Sequence, residues 1–171
     1  ALPILNRIMV NDKMQRHYVY EREELPGENF DPKFQPELTP REMLELGVFG
    51  GKYLTDCTQE FPDDWFTEAR LSPAGKDITL NYFSIDASQP LAEWVKKGWI
   101  NPQDPRGWFQ WYCRYYMGRR TEVEDMRQIK RWYAFRRHAG AIRKYCEAFD
   151  FSCRRKQRQA LLHWAYDSRL I

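Results

Sequence analysis

The stretch Gly107-Trp-Phe-Gln-Trp-Tyr-Cys-Arg-Tyr-Tyr-Met-Gly118 decides the fold class. Within it Trp108, Trp111, Tyr112, Tyr115 and Tyr116 fall at i, i+3, i+4, i+7 and i+8. That spacing lines one face of an α-helix. Asp104-Pro105 marks the expected start, and Gly118 the end, because glycine accepts the left-handed backbone that closes a helix. An aromatic face at helical spacing is read first as core packing. The functional alternative is a stacking platform for bases, worth about 1–3 kcal/mol per base.

Toward the C-terminus, Thr121-Glu122-Val123-Glu124 predicts a second helix opened by a capping box. Met126, Ile129 and Tyr133 carry its apolar stripe, and Gly140 is expected to break it. Ile142, Tyr145 and Cys146 then lie on the continuation. Ser152 is expected to cap a last helix whose Leu161, Leu162, Trp164 and Ala165 form a buried stripe. Toward the N-terminus, Thr39-Pro40-Arg41-Glu42 is the clearest helix start, with a capping threonine, proline at the first turn and glutamate completing the box. That helix stops at Gly47. A short helix near Pro62 contains Trp65 and Phe66, Leu71 to Ile85 reads as loop, and Ser88 is expected to cap a helix through Leu91, Trp94 and Val95 to Gly98.

Pro3, Pro26, Pro32 and Pro36 break any helix in residues 1–38. His17 to Glu21 reads as a short strand, since aromatic and β-branched residues favour pleated surfaces. Phe30 and Phe34 are the expected anchors of an arm. The expected fold is mainly α: a compact helical bundle of about five to six helices over residues 39–171. Residues 1–38 form an irregular extended arm packed on it.

The 171 residues match one domain and suffice to bury a core without disulfides or metal. No run approaches the roughly 18 apolar residues of a membrane span, and no secretory signal is visible. A cytoplasmic location without membrane association is therefore expected. The chain begins at Ala1 rather than Met, consistent with removal of an upstream segment. Cys57, Cys113, Cys146 and Cys153 form no CxxC pair and fit no zinc spacing. Four reduced thiols are the favoured reading. A Cys146–Cys153 bridge across the turn at Asp150 is the alternative.

Charge is unevenly placed. Residues 1–104 carry a net −7 and residues 105–171 a net +10. A basic half of this density attracts polyanions unless the acidic half neutralises it. Most of its cations are arginines, which grip phosphate or carboxylate with two parallel bonds. Arg114, Arg119, Arg120, Arg154, Arg155 and Arg158 are the candidate anion contacts. Arg154-Arg155-Lys156 at a helix start opposes the helix dipole, an unfavourable local choice that suggests a bound anion or nearby acids.

Gly47 to Lys52 is a glycine-rich loop whose amides have the freedom to approach a phosphate. It departs from the P-loop pattern, since no Ser or Thr follows Lys52. A helix end plus a turn is the plainer reading. Lys52, Asp56 and Cys57 are the candidate catalytic residues should the protein be an enzyme. Asp56, Glu60, Asp63 and Asp64 are acids available as bases or ligands, but no metal site or cofactor is expected. His17, His138 and His163 belong to no ligand or catalytic motif; His163 reads as a satisfied, partly buried histidine.

Leu38-Thr-Pro-Arg-Glu-Met-Leu-Glu-Leu-Gly-Val-Phe-Gly-Gly-Lys-Tyr53, Gly107 to Arg120, and Arg158-Gln-Ala-Leu-Leu-His-Trp-Ala-Tyr-Asp167 resemble strings of an uncharacterised family of small bacterial and fungal proteins. The resemblance implies a compact intracellular domain and no particular chemistry. Three readings follow. The first is a nucleic-acid-binding module contacting phosphates through the basic half. The second is a small enzyme acting on an anionic substrate. The third is a structural subunit whose N-terminal arm meets a protein partner.

Overall fold

A computed structural model describes residues 6–171. The fold is mainly helical, with a two-stranded antiparallel hairpin of β1 (Asn6–Val10) and β2 (Tyr18–Arg22), in which Ile8 faces Tyr20. The strand expected at His17–Glu21 is β2. Its partner β1 was not anticipated: five residues with only Val10 buried give almost no alternation to read. Pro3 lies outside the described residues.

Seven α-helical segments follow among the described residues: α1 (Pro40–Leu46), α2 (Asp64–Thr67, a single turn), α3 (Leu91–Lys96), α4 (Trp108–Tyr116), α5 (Glu122–Phe135), α6 (Arg137–Tyr145) and α7 (Arg155–His163). None is long and apolar enough to cross a membrane. α4 is the centre of the molecule. Every side chain from Trp108 to Tyr115 is buried, so the aromatic stripe is core and α4 has no solvated face. α1 and α5 pack on it, and α6 packs on α7.

The arm is tied to this core through Phe34, which is 1% exposed. Its ring meets Trp132 edge-on at 4.9 Å, and Tyr112 and Tyr115 edge-on at 5.4 and 5.5 Å. Edge-to-face geometry places positive ring edges on negative faces, which favours these pairs beyond area burial. Phe30 sits on Tyr115 at 5.2 Å. Both expected anchors therefore act as anchors.

Local cap signals hold where nothing competes for the side chain. The Thr39 hydroxyl accepts from the Glu42 amide, and the Glu42 carboxylate accepts from the Thr39 amide. Elsewhere tertiary partners win. Asp104 does not cap α4; it is buried between two arginines. Thr121 donates its hydroxyl to Asp125 instead of accepting an amide. Ser88 and Ser152 cap neither helix: the cap positions are Pro90 for α3 and Arg154 for α7. Gly140 lies inside α6 with open space beside it, and the break falls at Arg136. The favoured reading of four free thiols is corrected. Cys146 and Cys153 form a disulfide with Cα atoms 5.8 Å apart, whereas Cys57 and Cys113 are free and buried.

Candidate functional site

Three of the six expected anion contacts are consumed inside the protein. All five N–H donors of Arg114 are satisfied: Nε and one Nη2 hydrogen bond the Glu60 carboxylate (2.8 and 3.0 Å), Nη1 bonds Asp104 (2.9 Å) and the Gln103 carbonyl (2.7 Å), and Nη2 also bonds Gln15 (2.9 Å). Arg119 clasps both oxygens of Asp104 at 2.7 and 2.6 Å. Tyr20 closes the cluster by donating to Glu60 at 2.6 Å. Arg158 is buried with no carboxylate; it bonds oxygens of Cys153, Ser168 and Ile171 instead. Arg120 lies over the Tyr115 ring at 3.8 Å and donates to the carbonyls of Tyr115, Arg119, Glu28 and Asn29. Only Arg154 and Arg155 stand exposed. The six do not share one exposed patch.

The glycine loop is a packing device. Gly47 adopts φ +108°, and a Cβ there would fall 2.0 Å from the Leu80 carbonyl oxygen. The loop amides are already taken: Gly47 donates to Met43, Phe49 to His163 Nδ1, Gly50 to Asn81 and Gly51 to Val48. Every glycine amide of the loop is therefore engaged inside the protein. Lys52 is exposed, Asp56 grips Arg106 at 2.7 and 3.3 Å, and Cys57 is 4% exposed. Burial pushes the Cys57 thiol up to about 12, so it stays protonated and weakly nucleophilic. No cluster of three or more potential metal ligands occurs among the described residues.

A different site emerges between α3, α4, α5 and α7. A cavity of about 420 Å³ opens there. That volume lies in the range of small-molecule pockets. Its walls are flat rings: Trp94 from α3, Trp99 after it, Trp108 and Phe109 from α4, Phe135 from α5, and Trp164 after α7. Gly107 is what lets them close. It sits at φ +100°, and a Cβ there would press on the Trp94 ring at 3.2 Å.

One polar group on this wall is unsatisfied, and one cation beside it lacks a carboxylate partner among the described residues. His163 is 2% exposed and stacks against Phe49 with centroids 4.3 Å apart. Its Nδ1 accepts from the Phe49 amide, which leaves the proton on Nε2, and Nε2 has no partner among the described residues. Burial pushes its pKa down to about 3, so the ring is neutral at ordinary pH. Arg131 is partly buried 5.4 Å over the Trp164 ring. Its Nη1 donates to the Trp99 carbonyl (3.2 Å) and to Gln128 (2.9 Å), and it pairs with no carboxylate among the described residues. Burial and the neighbouring Arg127 lower its pKa, outweighing the opposing pull of Glu124. Arg137 also lines the cavity and donates to the Ala134 carbonyl.

Sequence reading missed this site because its residues come from five separate segments. Arg131 was one of many basic positions, and Trp94 and Trp99 lay outside the main stripe. The only available signal was seven tryptophans, more than a core of this size requires. The chain matches no protein-family model, no curated protein and no solved structure.

Proposed function

We propose that this protein binds a small planar anion, an aromatic ring carrying a carboxylate or phosphate, in the cavity beneath Trp94 and Trp164. The observation that carries this reading is one aromatic-walled cavity lined both by Arg131, which pairs with no carboxylate among the described residues, and by His163, whose buried Nε2–H has no partner among them. An unmet buried donor costs about 1–3 kcal/mol, and an acceptor on a ligand removes that cost. Flat walls favour a ring in offset or edge contact. Arg131 offers a planar fork suited to carboxylate or phosphate. No reaction is assigned, because Lys52, Asp56 and Cys57 lie outside the cavity lining.

The test is titration followed by tryptophan fluorescence and calorimetry. The probes are benzoate, indole-3-carboxylate and adenosine 5′-monophosphate against uncharged indole and adenosine. Charged rings are expected to bind more tightly than their neutral counterparts. Arg131→Gln is expected to weaken the charged probes by about 1.5–3 kcal/mol, tenfold or more, and to leave the neutral ones unchanged. Equal affinity for charged and neutral rings, or no binding at millimolar concentration, overturns the proposal.

A further inference from the structure

A second feature lies outside the cavity, on the outer face of α6 and the start of α7. The disulfide from Cys146 to Cys153 brings the end of α6 beside the start of α7. Tyr145 is 59% exposed there, flanked by Lys144 Nζ at 5.1 Å from its centroid and by the Arg154 guanidinium at 4.5 Å. At the other end of α6 the arrangement recurs: Arg136 lies 3.9 Å over Tyr133, which is 49% exposed. Arg143 on α6 and Arg155 and Lys156 on α7 are also exposed. None of these six cations pairs with a carboxylate among the described residues. Only two acids, Glu147 and Asp150, fall between residues 126 and 166, and Asp150 is engaged by Ser152 at 2.6 Å.

We infer that this face is a docking surface for single-stranded nucleic acid, with the cations tracking phosphates and Tyr145 and Tyr133 stacking on bases. Charge complementarity identifies a polyanion, since Lys144, Arg154 and Arg155 around Tyr145 pair with no carboxylate among the described residues, whereas Arg136 and Arg143 share a pocket with Glu37 and Asp167 and Lys156 acts on Asp86. The exposed rings narrow the class. A base of a single strand presents a free π-face to an aromatic side chain, whereas duplex bases are stacked on one another. Cations already held against each ring keep the charge and the stacking surface in one place. The nucleic-acid reading of the sequence is thereby carried by different residues. Arg154 and Arg155 remain in it, while Arg114, Arg119 and Arg158 are structural.

The experiment is fluorescence anisotropy with labelled dT12 and rU12, from low to physiological salt. Duplex DNA of equal length, heparin and phosphatidylserine vesicles serve as competitors. Single strands are expected to bind with affinity that falls linearly on a log–log salt plot. The triple variant Arg154→Ala, Arg155→Ala, Lys156→Ala is expected to reduce that slope by about 2, at roughly 0.7 per phosphate contact. Tyr145→Ala is expected to weaken binding about tenfold while leaving the salt slope unchanged. Circular dichroism and thermal melts confirm that both variants fold. An unchanged affinity in Tyr145→Ala, or preference for duplex, heparin or vesicles over the single strand, overturns the inference. So does absence of binding at low salt.

Discussion

A neutral imidazole at position 163 couples the acid stability of the fold to the wall of the cavity. Burial is the main cause of its depressed pKa of about 3, with Lys76 adding to the effect and Asp86 opposing it. In the unfolded chain a histidine takes a proton near pH 6.5. Above that pH both states are neutral and the residue is indifferent. As pH falls from about 6.5 toward 3, only the unfolded chain gains the proton. Stability then drops by about 1.4 kcal/mol per pH unit from this residue. The expected outcome is that wild type loses stability across this window and that His163→Gln loses less. Urea midpoints at pH 7, 6, 5 and 4 measure the difference. Parallel curves for the two proteins would show that the lost stability arises elsewhere. The sequence neighbours Leu162 and Trp164 made burial of this ring legible. Its missing second partner was not, because Phe49 is 114 positions away.

At the scale of the element, α6 and α7 show how far local rules reach. α1 was legible to the residue because Thr39, Pro40 and Glu42 act within one turn of each other. α7 was misplaced at its start because no side chain caps it and Arg154 occupies a left-handed conformation. What fixes that start is covalent: the bridge from Cys146 to Cys153, seven positions apart. Closing a loop this short in the unfolded chain contributes about 2–3 kcal/mol on the chain-entropy account. The Cys146→Ser, Cys153→Ser double variant is expected to lose that amount. For a chain of this length the loss is roughly 5–10 °C in melting temperature. Calorimetry with and without reductant measures it, and adding reductant should lower wild type to the level of the variant. A variant melting within a degree of wild type removes the bridge from the account of α7.

For the whole molecule, the decisive question was where the charge of the two halves goes. The acidic residues 1–104 and the basic residues 105–171 meet across α4, and much of the asymmetry is spent there. Asp104 and Glu60 neutralise Arg119 and Arg114, while Asp56 and Asp12 hold Arg106. Sequence could show the imbalance but not this pairing, since Glu60 and Arg114 are 54 positions apart. The cluster also seats the hairpin: Tyr18 bonds Arg119 at 3.1 Å, and Arg114 lies 5.3 Å from the Tyr20 centroid. Removing the charge of Asp104 therefore leaves the buried Arg119 without a carboxylate and Arg114 with Glu60 alone, and loosens the hairpin. Breaking a buried pair from one side costs about 3–5 kcal/mol, because the remaining charge stays desolvated. Asp104→Asn is expected to lose that much in denaturant unfolding, and protease cleavage near Arg16 in the hairpin loop should accelerate. Glu147→Gln, an exposed carboxylate without a cationic partner, is the control and should stay within about 0.5 kcal/mol of wild type. If Asp104→Asn behaves like that control, the ionic cluster does not organise the core, and the hairpin is held by its other contacts, such as Arg22 donating to the Glu60 carbonyl.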